Sequence, residues 1–206
     1  MTDQTVPADA VKMGLTLEQL AQLKSEVLLQ APYASRVSFG LVIRLVITGD
    51  MIPVLREIDA LEGLKPATTV KSKRGEQFKH PPLFPLWHKH YFASRHVLAN
   101  IGERWNLARG EGNRDLIAAL STIIEQHGHD PAAWPGALAH RIFVDGLTER
   151  ASANRLTGDW LVFAKHCGQN YYLDLAQHEE ADGPTHSAVL IEKLRSGSQA
   201  DFPFLF

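Results

Sequence analysis

The sequence predicts an α+β protein, with helices over the first two-thirds of the chain and a small antiparallel sheet near its C-terminus. Apolar residues recur at helical spacing in several segments before residue 152, and Gly or Pro separates these segments. A β-hairpin pattern follows over 160–176, where two runs rich in β-branched and aromatic residues flank a short turn. We expect one domain over 1–206, with a helical part over about 1–152 and the hairpin and a last helix over about 157–206.

The first third of the chain is predicted to contain two helices and one ambiguous segment. A capping box at Thr16 and the leucines after it predict a helix over 17–30. Residues 35–47 are apolar and β-branched, a composition that fits either a buried helix or a buried strand. Asp50 is typical of an N-cap, so we expect a further helix that ends at Gly63.

The middle of the chain begins with a break in periodicity. Prolines and lysines over 65–85 predict an extended loop, with a short β segment around Thr68–Lys71, and part of this loop could add a strand to the sheet. The segments that follow, 85–106, 114–127 and 136–152, have helical periodicity and are predicted to be helices.

The clearest local pattern is the hairpin formed by Trp160–His166 and Tyr171–Ala176. A two-residue loop at 168–169 would place His166 opposite Tyr171. Because alternate residues of a strand share a face, one face of the hairpin is then predicted to carry Val162, Ala164, His166, Tyr171, Leu173 and Leu175.

The C-terminal segment is predicted to pack on the rest of the protein. A last helix is expected around 186–195, followed by the apolar tail Phe202–Phe206. Three aromatic rings in so short a tail favour docking over exposure to water.

The single cysteine, Cys167, excludes an intrachain disulfide bond. The polar N-terminus lacks the basic and apolar regions of a secretory signal, and no apolar run is long enough to span a bilayer. We therefore expect a cytoplasmic protein that does not insert into membranes.

Positive charge is concentrated in one window. Over the whole chain 21 Lys and Arg face 23 Asp and Glu, so net charge does not indicate a nucleic-acid-binding protein. Residues 65–96, however, hold seven Lys or Arg against one Glu, together with four of the ten histidines. Such a window is typical of a site for a phosphate-bearing ligand, although a solvated basic loop has the same composition. The residues that we assign to phosphate binding are Lys73, Arg74, Lys79, Lys89 and Arg95.

The predicted helix over 86–105 would be amphipathic, with His90 on its apolar arc and His88 on its basic arc. His90 is either a core histidine satisfied by a neighbour such as Ser94, or an acid or base that lines a cleft. On a helix, side chains two positions apart point about 200° away from each other, so His88 and His90 could not share a metal there. On a strand they could.

The first functional hypothesis is a metal-independent ribonuclease of the toxin or effector type, with RNA as its partner and no cofactor. Its site would combine the basic helix with the hairpin. Histidines would move protons, cationic side chains would stabilise the oxyanion at phosphorus, and the substrate's 2′-hydroxyl would be the nucleophile. The residues that we assign to catalysis are His88, His90, Lys165, His166 and Tyr171.

Two other functions fit the sequence. A non-enzymatic interaction or regulatory protein could use the same basic patch to bind an acidic protein or a nucleic acid. A zinc hydrolase could use His127, His129 and His140, although the first two also fit the end of a helix. The sequence contains no phosphate-binding glycine loop, dinucleotide fingerprint or G-x-S-x-G motif.

Overall fold

The computed structural model describes residues 14–67, 74–107, 113–128, 130, 132–153 and 155–206. Within these ranges the α+β class is confirmed, because helices surround one four-stranded antiparallel sheet. The helices are α1 Leu17–Leu28, α2 Phe39–Thr48, α3 Met51–Leu61, α4 Val97–Trp105, α5 Arg114–His127, α6 Trp134–Ala139, α7 Gly146–Ser152 and α8 Gly183–Ser198. The strands are β1 Glu76–Gln77, β2 Trp87–His90, β3 Trp160–His166 and β4 Gln169–Ala176.

The helices predicted at both ends of the ambiguous segment are confirmed as α1 and α3. The side chain of Thr16 accepts a hydrogen bond from the backbone N–H of Gln19, whose side chain accepts one in return, which completes the capping box. Asp50 precedes α3 and Gly63 follows its end. The carboxylate of Asp50 does not cap the helix, however, because it accepts a hydrogen bond from the hydroxyl of Tyr91 at 3.1 Å.

The ambiguous segment itself forms helix α2. Leu41, Val42 and Leu45 lie at helical spacing and are fully buried. Ser38 caps the helix by accepting a hydrogen bond from the backbone N–H of Leu41, and Gly49 ends it with a positive φ of 71°. These two caps favour the helix where the β-branched composition alone does not decide.

The helix predicted over 85–106 is wrong in its first half. Residues Trp87–His90 form strand β2, which lies in the sheet between β1 and β3. The helix begins only at Val97 and ends at Trp105. The physical reason is pairing with β1 and with β3, which is distant in the sequence, because this pairing supplies the backbone hydrogen bonds that a helix would otherwise make within the segment.

Neighbouring strands of the sheet are antiparallel and follow the order β1-β2-β3-β4. β1 confirms that the loop over 65–80 adds a strand, at Glu76–Gln77. The β segment predicted around Thr68–Lys71 lies outside the described residues. On the outer side of β4, Val37 forms an isolated parallel bridge with Tyr172.

The hairpin is confirmed, but its register differs from the prediction. Its loop consists of Cys167 and Gly168, with φ values of 48° and 76°, and His166 pairs with Gln169 rather than with Tyr171. Two consecutive positive φ values are the signature of a type I′ turn, whose twist matches that of antiparallel strands. Cysteine is not a usual residue for positive φ, so the sequence favoured a loop that begins at Gly168.

A β-bulge moves one predicted core residue to the opposite face of the hairpin. Val162 and Phe163 are neighbours in β3, yet their partners Asp174 and Tyr172 are two residues apart. Leu175 therefore packs in the layer of α1–α3, whereas simple alternation predicts it on the face of Val162.

The sheet separates two apolar layers. The layer between the sheet and α1–α3 contains Leu41, Val54, Ile58, Leu161, Phe163 and Tyr172. The layer on the other face contains Val162, Leu173, Leu190, Leu194 and Phe202, and α8 covers it. The predicted C-terminal helix lies within α8, and the predicted docking of the tail is confirmed because Phe202 is only 3% exposed.

A smaller apolar cluster joins α4, α5 and α7. Its buried members are Ile101, Trp105 and Ala119. The helix predicted over 114–127 has the same bounds in α5, and the helix predicted over 136–152 begins at Trp134 and passes through a π-helical segment, His140–Asp145, into α7. No helix in the described part of the chain is both long enough and apolar enough to cross a membrane.

Candidate functional site

Strand β2 places its histidines on one face of the sheet and Lys89 on the other. His88 and His90 contact aromatic rings in the layer beneath α8, whereas Lys89 meets Glu57 of α3. These three residues of β2 are buried, with exposed fractions of 9%, 3% and 0% for His88, His90 and Lys89. The basic arc predicted for this segment therefore does not form, because the segment is a strand inside the sheet.

Lys89 does not lie where a phosphate could reach it. Its Nζ is 2.9 Å from a carboxylate oxygen of Glu57, and it also donates to the backbone carbonyl of His90 at 2.9 Å. Burial lowers the pKa of Lys89, and the nearby charge of Glu57 opposes that effect. The role in phosphate binding predicted for Lys89 is corrected to that of a buried ion pair.

Arg95, also assigned to phosphate binding, is held by acidic partners. Its guanidinium pairs with Asp50, and it donates to Asp159 at 2.7 Å and to the Tyr91 hydroxyl at 2.7 Å. Partial burial lowers the pKa of Arg95, but hydrogen bonds to the two carboxylates outweigh burial and leave the pKa above its ordinary value. Two carboxylates around one guanidinium leave little positive field to attract phosphate.

Three histidines gather around Trp160 of β3. The ring centroids of His88 and His178 each lie 4.5 Å from the indole centroid, and that of His90 lies 6.0 Å from it. His90 is also 5.1 Å from His178 and 5.8 Å from His88. We call His88, His90, His178 and Trp160 the histidine cluster. Because His178 is exposed and Trp160 is half-buried, the cluster is open to solvent on the side of His178.

His90 is the structural member of the histidine cluster. Its Nδ1 is 3.2 Å from the carbonyl oxygen of Gly158, which can only accept, so Nδ1 carries the proton. Its Nε2 then accepts a hydrogen bond from the indole N–H of Trp160 at 3.3 Å. Position 158 requires glycine, since a Cβ there would lie 1.9 Å from the carbonyl oxygen of Tyr91. Of the two alternatives for His90, the structure thus favours the satisfied core histidine, with Gly158 rather than Ser94 as its partner.

His88 lies at the edge of the histidine cluster nearest β1. Its Nε2 is 4.0 Å from a carboxylate oxygen of Glu76, which forms an ion pair whenever the imidazole is protonated. Its ring contacts that of Phe78, with centroids 4.6 Å apart. The side chain of Glu76 is 54% exposed, so the carboxylate links the imidazole of His88 to solvent.

The remaining predicted phosphate ligands flank β1. Arg74 precedes this strand and Lys79 follows it, and both side chains are exposed, as is that of His80. Lys79 is adjacent in sequence to Phe78, whose ring contacts His88. Lys73 lies outside the described residues. Of the five residues predicted to bind phosphate, Arg74 and Lys79 are thus the two exposed residues that flank β1.

The hairpin tip is a second polar and aromatic surface. The exposed ring of His166 lies 6.2 Å from that of Tyr171 and 4.8 Å from that of Phe204, so the structure brings His166 and Tyr171 together. Lys165 is exposed on the other face, where its Nζ lies 3.6 Å from the ring centroid of Trp87.

The hairpin tip and the histidine cluster are separate sites. His88 pairs with Val162, and His166 follows Val162 by four residues of extended strand, roughly 13 Å. His90 pairs with Trp160, which is farther still from the tip. The predicted catalytic set is therefore divided, with His88 and His90 in one place and Lys165, His166 and Tyr171 in another.

The residues suggested for zinc do not converge in the described part of the chain. His127 is the last residue of α5, and His140 lies 3.3 Å from a carboxylate oxygen of Asp145 in the π-helical segment. His129 lies outside the described residues. Among the described residues, no group of three or more His, Cys, Asp or Glu side chains is arranged to hold a metal ion.

A cavity of about 720 Å³ lies between α5 and the π-helical segment. Its cationic side chains have acidic partners: Arg104 is 3.0 Å from Asp115, and Arg141 is 2.6 Å from Glu149. This cavity therefore presents a balanced set of charges, in contrast to the exposed cations beside β1.

Sequence analysis did not identify His178 or Trp160 as site residues. His178 follows the hairpin in a polar segment without a recognisable motif. The hairpin register holds the missing signal, because Trp160 pairs with Ala176, only two residues before His178. Strand pairing in the hairpin therefore places His178 beside Trp160 at the open end of the hairpin.

Comparison with known proteins provides no family for this chain. No family model matches it, and no curated protein or solved structure shows significant similarity.

Proposed function

We propose that the protein is a metal-independent ribonuclease that cleaves single-stranded RNA at the histidine cluster. The observation that carries the proposal is the contact of two imidazoles with the same indole, one exposed on His178 and one buried within the sheet on His88. Two imidazoles in contact with the same indole are suited to paired base and acid catalysis near neutral pH.

The proposed reaction is an internal transesterification. His178 accepts the proton of the 2′-hydroxyl, whose oxygen attacks phosphorus, while His88 donates a proton to the departing 5′-oxygen. The P–O5′ bond breaks as the new P–O2′ bond forms, which yields a 2′,3′-cyclic phosphate and a free 5′-hydroxyl. Glu76 stabilises the protonated imidazole of His88 before the transfer.

The surface beside β1 supplies positive charge in this proposal. Lys79 and Arg74 are exposed there and attract the phosphates of the strand. The half-buried ring of Trp160 offers an apolar edge on which a base can stack. His90 serves the site by orienting the indole of Trp160 through its hydrogen bond.

The test is cleavage of 5′-labelled single-stranded RNA by the purified protein in EDTA. We expect products that end in a 2′,3′-cyclic phosphate, and no cleavage of DNA of the same sequence, which lacks the nucleophile. His178→Ala should lower the rate by about 10²- to 10⁴-fold, the usual contribution of a general base. His186→Ala is the matched control, because His186 is an exposed histidine on the neighbouring helix α8.

His88→Gln is the second variant and should slow cleavage while its circular dichroism spectrum stays native. The proposal is overturned if no single-stranded RNA is cleaved, or if His178→Ala retains full activity. Salt-sensitive RNA binding without any cleavage would instead support the non-enzymatic interaction protein.

A further inference from the structure

A cavity of about 270 Å³ lies next to the histidine cluster. One wall is the segment after β1, which includes Phe78, Lys79 and His80, and the opposite wall is the start of α8, which includes Pro184 and Ser187. This volume is close to the lower end of the range for pockets that bind small ligands.

The cavity adjoins the proposed catalytic residues through both walls. The ring of Phe78 contacts those of His88, at 4.6 Å, and Trp160, at 5.5 Å. Ala181, which also lines the cavity, ends the short 3₁₀ turn that begins with His178. A ligand in the cavity would therefore lie beside the two imidazoles without displacing them.

The lining combines flat apolar surfaces with exposed cationic and titratable groups at the rim. The apolar part is formed by Phe78, Pro81, Leu83 and Pro184. Lys79 and His80 are exposed at the rim, and no acidic side chain is among the described residues that line the cavity. Apolar walls suit a nucleobase, and an ammonium beside an imidazole suits a phosphate.

We infer that this cavity binds one nucleotide of the RNA strand, with its base against Phe78 and its phosphate against Lys79 and His80. The inference rests on the proposed ribonuclease function, because it makes the cavity the subsite next to the bond that is cleaved. It extends that function by assigning substrate recognition to residues that take no part in proton transfer.

The test is an NMR titration of the ¹⁵N-labelled protein with the four nucleoside 3′-monophosphates, and with ribose 5-phosphate as a ligand without a base. We expect at least one nucleotide to bind more tightly than ribose 5-phosphate. Lys79→Ala should weaken its binding about tenfold, as expected for a charged hydrogen bond. Lys65→Ala is the matched control, because Lys65 is an exposed lysine after α3 that does not line the cavity.

A second variant tests the cavity rather than the charge. Ala181→Phe should fill the space and abolish nucleotide binding while leaving the melting temperature nearly unchanged. Ala188→Phe, on the exposed side of α8, should leave both nucleotide binding and the melting temperature unchanged. Equal binding of ribose 5-phosphate and nucleotides, or unchanged nucleotide binding in both Lys79→Ala and Ala181→Phe, overturns the inference.

Binding of a non-cleavable tetranucleotide with 2′-deoxy sugars separates an RNA subsite from a site for free nucleotides. We expect the tetranucleotide to bind more tightly than any mononucleotide and to depend on Lys79 in the same way; weaker binding overturns the subsite. Nucleotide binding should survive in His178→Ala. RNA cleavage that is insensitive to Lys79 and Ala181 overturns this inference alone, whereas Lys79-dependent nucleotide binding without RNA cleavage overturns the proposed function alone.

Discussion

Lys89 and Glu57 form an ion pair inside the layer between the sheet and α3. Neither side chain is more than 3% exposed, so both charges lose their hydration when the protein folds. Their attraction offsets this loss only while both charges are present. A buried pair of this kind therefore makes the fold sensitive to the removal of either partner, without making the layer more stable than an apolar one.

We expect Lys89→Met to lower the free energy of unfolding by about 3–5 kcal/mol, because one charge of the pair then stays in the apolar layer. The double variant Lys89→Met with Glu57→Leu should recover most of this loss, since both buried charges are gone. Urea unfolding of the wild type, the two single variants and the double variant measures the coupling. Simple addition of the two single losses in the double variant would contradict this view.

Glu62, at the end of α3, is the centre of a hydrogen-bonded group. It pairs with Arg36, and it accepts from the Tyr172 hydroxyl at 2.6 Å and from the Asn170 amide at 3.1 Å. Burial by itself raises the pKa of Glu62, but these three hydrogen bonds together outweigh burial and hold the pKa below its ordinary value. Glu62 therefore contributes stability above the ordinary pKa of a glutamate, and that contribution is lost as the pH falls through the lowered pKa.

Glu62→Gln should lower the free energy of unfolding by about 1–3 kcal/mol at pH 7, the usual cost of a lost charged hydrogen bond. The difference from the wild type should shrink as the pH falls below about 4, where the unfolded wild type takes up the same proton. Denaturant unfolding between pH 2.5 and 7 measures this difference in the free energy of unfolding. A difference that is constant over this range is the contrary result.

At the scale of elements, the crossing of α2 and α8 depends on a pair of glycines. A Cβ at Gly40 would lie 2.6 Å from the carbonyl oxygen of Gly197, whereas a Cβ at Gly197 would lie 3.6 Å from the Cα of Gly40. At 2.6 Å the added Cβ of residue 40 would clash and force the two helix backbones apart. At 3.6 Å the added Cβ of residue 197 would make an ordinary van der Waals contact. The two glycines therefore have different roles at one crossing.

Gly40→Ala should destabilise the protein by about 1–3 kcal/mol, the usual cost of overpacking. Gly197→Ala should be tolerated, and Gly102→Ala in α4, where nothing lies within 4 Å, should raise stability by about 0.5–1 kcal/mol through helix propensity. Thermal unfolding of the three variants measures the order of their stabilities. Equal effects of Gly40→Ala and Gly197→Ala are incompatible with this geometry.

Elements with local signals were predictable from the sequence. The capping box at Thr16 and the turn between the two runs of the hairpin belong to short segments, and both elements form. Strand β2 was not predictable in this way, because His90 pairs with Trp160, 70 residues farther along the chain. The β-bulge depends equally on packing, so the face of Leu175 could not be read from alternation.

The sequence indicated residues of the candidate site only where the local amino-acid composition is unusual. The histidine-rich basic window directed attention to His88, which remains in the proposed site. It also suggested Lys89 and Arg95, whose charges are neutralised by carboxylates on α3 and in two loops. His178 lies outside the window and reaches Trp160 only through the register of the hairpin.

At the scale of the whole molecule, the apolar contacts are unevenly distributed. The sheet, α2, α3 and α8 share two extensive layers, whereas α4, α5 and α7 pack around a cluster with three buried members, Ile101, Trp105 and Ala119. Regions with fewer buried apolar contacts open at lower free energy than the rest of a protein. The helices α5 to α7 are therefore expected to be the less stable part of the described chain.

Native-state hydrogen exchange should show this difference. Amides of α5 around Ala119 are expected to open at a free energy at least about 2 kcal/mol below those of α2 around Leu45 and of β3 around Phe163. Exchange measured at increasing denaturant concentration separates local from global opening. A common opening free energy for α2, β3 and α5 would show that the chain unfolds as one unit.

The two outer strands of the sheet bear on how the protein behaves at high concentration. An edge strand with free backbone groups is a template for pairing between molecules, which leads to aggregation. β1 offers only two residues, and along β4 the Val37 bridge and the hydrogen bond from the Ser38 N–H to the Tyr172 carbonyl occupy part of the edge. The sheet thus gives another copy of the chain little to extend, so concentrated samples should resist amyloid-like growth.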